Sequence, residues 1–85
     1  MDYLPVHLYN SVKKLQDVQD FLTVHYDQND LSIARMKRLI DVSIKRIQDM
    51  NRVPPNALEV IGAMEPSNLM QLSILLYNLQ TYLCA

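Results

Sequence analysis

Residues 31–52 read LSIARMKRLIDVSIKRIQDMNR. Within them Ile33, Met36, Ile40, Ile44 (or Ser43), Ile47 and Met50 recur at spacings of three and four. That is the period of an apolar stripe along one side of an α-helix. Arg35, Arg38, Lys45, Arg46 and Arg52 fall in an arc of about 120° roughly opposite the stripe, interrupted by Val42 and Asp49. The stretch therefore predicts an amphipathic helix over about residues 31–51, apolar on one face and basic on the other.

The flanks extend the same pattern. Asp27-Gln28-Asn29-Asp30 is a polar break, and Asp30 or Ser32 can cap the helix that follows. Upstream, Leu8, Val12, Leu15, Val18, Leu22 and Tyr26 form a stripe that predicts a helix over about 5–26, with Pro5 in its first turn. Downstream, Val53-Pro54-Pro55 ends the basic helix, because a residue before proline is pushed out of helical conformation. Asn56 and Glu59 have the spacing of a cap and its reciprocal acceptor, which predicts a short helix over about 57–64, stopped by Pro66. A last helix begins at Pro66 or Ser67 and runs to about residue 83.

Composition agrees with an all-α fold. One glycine and no tryptophan in 85 residues argue against a small barrel or sandwich, which needs many turn glycines. A chain of this length forms a single domain, here residues 1–85, and 49% hydrophobic residues suffice for its core. The expected architecture is a small bundle of three long helices and one short one, self-associating.

The net charge of −1 conceals a segmented distribution. Residues 1–30 set Lys13 and Lys14 against five aspartates, a balance of −3, whereas residues 31–52 stand at +4. Residues 53–85 contain no Lys or Arg and stand at −2 through Glu59 and Glu65. The last helix has no ionisable side chain except Tyr77, Tyr82 and Cys84. Leu69, Leu72, Leu76, Leu79 and Leu83 form one stripe on it, and Met70, Ile74 and Tyr77 form a second. A helix apolar nearly all round is buried, in its own core or against another chain. Three other helices, one of them short, leave part of it uncovered, and monomers seldom expose such a patch. The leucine stripe is accordingly the expected self-association surface.

Residues 31–52 admit a second organisation. Met36, Ile40, Val42, Ile47 and Met50 also match the apolar offsets of a helix-turn-helix, with Asp41-Val42-Ser43 as the turn and Ser43 capping the second helix. Ile44, Lys45 and Gln48 would then face a DNA major groove. His25-Tyr26, Leu31-Ser32-Ile33 and Val42-Ser43 resemble the first helix-turn-helix of AraC-type regulators over about a third of the chain. Asp41 stands where that family has its turn glycine, and Lys37 where it has a small residue. The resemblance implies a small DNA-binding regulator and requires a break near Asp41.

Other chemistry finds little support in the residues. His7 and His25 lie apart and share no zinc-ligand spacing with Cys84 or a carboxylate pair. No serine sits in a glycine-flanked nucleophile elbow, and Gly62 alone makes no phosphate loop. Asp17 and Asp20 share a helix face but read as solvated surface. No catalytic residue, metal, cofactor or small-molecule substrate is expected. Cys84 has no partner for a disulfide, the N-terminus lacks signal-peptide character, and Leu69–Ala85 is too short and too polar to span a bilayer. An intracellular, cytoplasmic location follows. The favoured function is a non-enzymatic protein-interaction module: a small adaptor, chaperone-like subunit or regulatory inhibitor. Its partners would be a second copy or another protein along the uncharged helix and an acidic protein along the basic arc, with nucleic acid second to these.

Overall fold

The computed structural model describes residues 3–83, and side-chain burial is described from Val6 onward. The expected all-helical class holds: α1 (Tyr3–His25), α2 (Leu31–Met50), α3 (Pro55–Gly62) and α4 (Leu69–Leu83) are three long helices and one short one. No strand occurs among the described residues. The body measures 42 × 22 × 20 Å, and its long axis accommodates α1, whose 23 residues extend about 35 Å at the α-helical rise.

Local chemistry sets the helix ends. Gln28 folds back so that its side-chain amide donates to the carbonyls of Leu22, Thr23 and Tyr26 at 2.8–3.1 Å, satisfying groups the end of α1 leaves open. Asp30 then caps α2, its carboxylate accepting from the Ser32 N–H at 2.8 Å. At the other end Asn51 takes the left-handed conformation (φ 57°), and its N–H donates to the Ile47 and Gln48 carbonyls. The cap expected at Asn56 does not form. α3 starts earlier, at Pro55, after an extended Pro54 with no side-chain cap. Proline at the first helical position brings a preset φ and lacks an N–H that would need a partner, so the helix begins there and Asn56 lies inside it. Nor does α4 begin at Pro66 or Ser67. Residues 65–68 form a turn closed by the Asn68 N–H on the Glu65 carbonyl (3.0 Å), and Asn68 Oδ1 caps α4 by accepting from Gln71.

The core draws on every helix. Leu15, Val18 and Leu22 of α1 meet Ile33, Met36, Ile40 and Ile47 of α2, Ala57 and Ile61 of α3, and Leu72, Leu76, Leu79 and Leu83 of α4. Each of the four helices packs on two others: α1 on α2 and α3, α4 on α2 and α3. α1 and α2 are antiparallel neighbours, pinned by Gln19, whose amide donates to Asp41 Oδ1 (2.8 Å) and the Lys37 carbonyl (3.1 Å). α2 and α4 run in the same direction, because α3 and the turn after it carry the chain back to the start of α2. Their register is fixed by a polar node. Ser43, fully buried, donates to the Leu39 carbonyl and accepts from Gln80 Nε2, both at 2.8 Å. Gln80 Oε1 in turn faces Arg46 Nη1 at 3.5 Å.

α2 is continuous through residues 31–50. This overturns the helix-turn-helix expectation, since no turn exists at Asp41-Val42-Ser43 and Ser43 back-bonds within the helix instead of capping a new one. The apolar positions at 36, 40, 47 and 50 satisfy a straight amphipathic helix equally well, and Asp41 in place of glycine supplies nothing to break it.

Candidate functional site

α4 presents two apolar stripes, and the fold buries the leucine one. Leu72, Leu76, Leu79 and Leu83 are 0–4% exposed inside the chain's own core, and Leu69 is half-buried against it. Four of the five leucines expected as a self-association surface are therefore inside the core, covered by α2 and α3, and of the five Leu69 alone keeps a partly exposed side chain, in the groove between α2 and α4. The second stripe faces out, with Met70 79%, Ile74 56% and Tyr77 64% exposed. α2 and α3 cover one side of a charge-free helix and leave the other bare.

This bare stripe forms one wall of a groove of about 500 Å³ between α2 and α4. Leu39 and Met36 line the α2 side, Leu69 and Ser73 the floor beside α4, and Asp30 and Ser32 close the end at the start of α2. Arg35 stands on the rim. Asp30, the cap of α2, adds a carboxylate at the same end of the groove, and Arg35 makes no ion pair with it.

The basic arc divides into two parts. Arg46 is half-buried and turned toward α4 through Gln80, which makes it part of the α2–α4 contact. Arg35, Arg38, Lys45 and Arg52 are exposed and carry no ion pair or hydrogen bond among the described residues. From Arg35 to Lys45 this row runs about 15 Å along α2 at the helical rise. Arg52 lies beyond the C-cap, away from the groove. The basic residues of α1 are otherwise employed: Lys13 pairs with Asp17 at 3.1 Å, and Lys14 donates to the Gly62 carbonyl at 3.4 Å, where α3 ends. Lys37, on the α1 side of α2, donates to Gln28 Oε1.

Sequence reasoning missed Leu31 and Leu39. Leu31 is 76% exposed and shares a shallow depression with Ala34, Arg35 and Arg38, so the arc is apolar as well as basic near its start. Its position in the arc was readable from the helical angle. Leu39 could be placed at the groove only once the direction of α4 was known. Among the remaining candidates, His7 and His25 are exposed, and the His25 ring stacks on Phe21 with centroids 4.2 Å apart. Among the described residues no three His, Cys, Asp or Glu side chains gather where they could hold a metal ion. Cys84 lies outside the described residues. No described helix is long and apolar enough to cross a membrane.

Comparison with protein-family models, with characterised proteins and with solved structures finds no match to this chain. The geometry of the groove is what a functional reading rests on.

Proposed function

We propose that this chain is a non-enzymatic protein-interaction module, an intracellular adaptor, chaperone-like subunit or regulatory inhibitor, that binds an acidic protein partner through the α2–α4 groove. One observation carries the reading: an exposed apolar stripe, Met70, Ile74 and Tyr77, stands across a groove from Arg35, an exposed cation with no ion pair among the described residues, and Arg38 lies exposed beside Arg35 on the outer side of α2. Apolar centre and charged rim is the anatomy of a protein-binding patch.

Magnitudes indicate how the two parts divide the work. Full burial of such a side chain is worth about 1.5–3 kcal/mol, so completing the partial burial of three gives about 3–6 kcal/mol. Association itself costs about 4–15 kcal/mol in lost freedom. The apolar stripe alone thus leaves little surplus, and the cations supply orientation, encounter rate and discrimination among partners. Such a contact is exchangeable.

Site-specific photo-crosslinking in the native cell tests this, with a photoreactive amino acid at Tyr77 and, as control, at exposed Gln16 on α1. A discrete protein adduct from position 77 that disappears when Arg35→Glu and Arg38→Glu are added is the expected result. Equal labelling from both positions, or none from position 77, would refute the groove as the working surface.

A further inference from the structure

We infer that the bare face of α4 pairs with the same face of a second copy, the two α4 helices antiparallel about a two-fold axis at Ile74 and each Tyr77 entering the other copy's groove. This goes beyond the function proposed above, and the acidic protein proposed there would compete with the second copy for the groove. Charge singles out the face. Pairing through the outer faces of α1 or α2 would bury their charged side chains, among them Lys13, Asp17, Arg38 and Lys45, at a cost in lost hydration. α4 has no charged residue between Leu69 and Leu83. Its outer face adds exposed Gln71, Asn78 and Thr81 to Met70, Ile74 and Tyr77, so of the three long helices it alone meets its own copy without burying a charge of its own.

Register then matches the face to itself. An antiparallel two-fold contact brings together residues equally far from its axis on the two chains. Ile74 is the middle of the exposed stripe, so an axis there covers Met70, Ile74 and Tyr77 of both copies at once. α2 and α4 run in the same direction and Gln80 is bonded to Ser43, so a residue of α2 stands level with the residue 37 places later on α4. Arg35 is thus level with Leu72. Tyr77 of the second copy arrives level with Gln71, about 1.5 Å from Arg35 along the helix axis. There the groove of about 500 Å³ opens between Met70 and Ser73 on one side and Met36 on the other. The entering ring takes these apolar walls, its hydroxyl turns to the polar end formed by Asp30 and Ser32, and its face meets the Arg35 guanidinium. Area sets the strength. The stripe exposes roughly 300–400 Å² per copy. With the flanking uncharged residues and the groove rim, the contact totals about 1,000 Å², the low end for a specific interface. The dimer is therefore reversible, with a Kd on the order of tens of micromolar.

Sedimentation equilibrium of the full chain, from about 5 to 500 µM, should show a monomer–dimer equilibrium that follows mass action. Ile74→Ser and Tyr77→Ala should each weaken it about tenfold or more, as loss of a central contact does, with circular dichroism confirming that both variants fold. Disulfide cross-linking reads the register, using single cysteines in a Cys84→Ser background at a concentration where the parent is dimeric. Ile74→Cys should join two chains, because a residue on the axis faces itself. Met70→Cys should not, since its two copies stand about 12 Å apart along the helices, beyond disulfide reach. A monomer at every concentration would overturn the inference and leave the groove to the acidic protein proposed above. A dimer that Ile74→Ser leaves intact would also overturn it, by placing self-association away from α4. A dimer lost in Ile74→Ser but cross-linked as readily through Met70→Cys as through Ile74→Cys would overturn the antiparallel pairing.

Discussion

Replacing Leu76 by alanine asks directly whether the leucine stripe of α4 is core or contact. Leu76 is fully buried among the α2, α3 and α4 side chains, so the substitution removes apolar contact and leaves a cavity that neighbouring helices can fill only in part. The cost of such a change is about 2–5 kcal/mol. A domain of 85 residues has about 4–13 kcal/mol of stability in all, so this one position removes a large share of it. At about 4–8 °C per kcal/mol for a domain this small, a 3 kcal/mol loss lowers the Tm by roughly 12–24 °C. Ile74→Ser is the matched control on the exposed stripe, where a surface substitution stays within about 0.5 kcal/mol and shifts the Tm by less than about 4 °C. Thermal melts followed by circular dichroism, at two protein concentrations tenfold apart, read both effects. The Leu76→Ala loss should be the same at both concentrations, since stability that depends on association moves with concentration. A Leu76→Ala melt within a few degrees of the parent, or a loss that shrinks as concentration rises, would refute the assignment of the leucines to a single-chain core.

Three further experiments examine the polar framework. Ser11→Ala should raise stability by about 1 kcal/mol in urea unfolding, because Ser11 Oγ is buried between α1 and α3 with no hydrogen-bond partner among the described residues and an unsatisfied hydroxyl is costly. A double-mutant cycle of Ser43→Ala and Gln80→Ala should give a coupling of about 0.5–1.5 kcal/mol, reporting the 2.8 Å bond that sets the α2–α4 register, and additive losses would deny it. Asp30→Ala, which removes the cap of α2, should cost about 1 kcal/mol and speed amide exchange in the first turn of that helix, whereas Asn29→Ala should leave both unchanged.

Much of this architecture was legible in the residues. Apolar spacing at three and four determined the number of long helices, their approximate bounds and the all-α class, because each long helix must bury a stripe whatever it packs on. Asp30 was readable as a cap, since its short carboxylate reaches an open N–H one turn into α2 without any help from the rest of the fold. The cap at Asn56 was misread for the same local reason in reverse: two candidate starts compete there, and proline's fixed φ outweighs a side-chain bond. Helix-turn-helix and straight helix share their apolar positions over residues 31–52, and the difference between them lies in hydrogen bonds that periodicity does not encode.

The site divides along the same line. The cations of α2 and the two stripes of α4 were present in the sequence as faces of separate helices. Which α4 stripe turns inward is decided by the fit of the leucines against Ile40, Ile47 and Ile61, a matter of volume between helices. Tertiary structure alone also runs α2 and α4 in one direction, places Met70, Ile74 and Tyr77 across from Arg35 and Leu39, and turns Arg46 aside to Gln80. The sequence by itself determines what each helix can bury; which neighbour covers it, and so which surface is left over for a partner, is settled only when four helices compete for the same core.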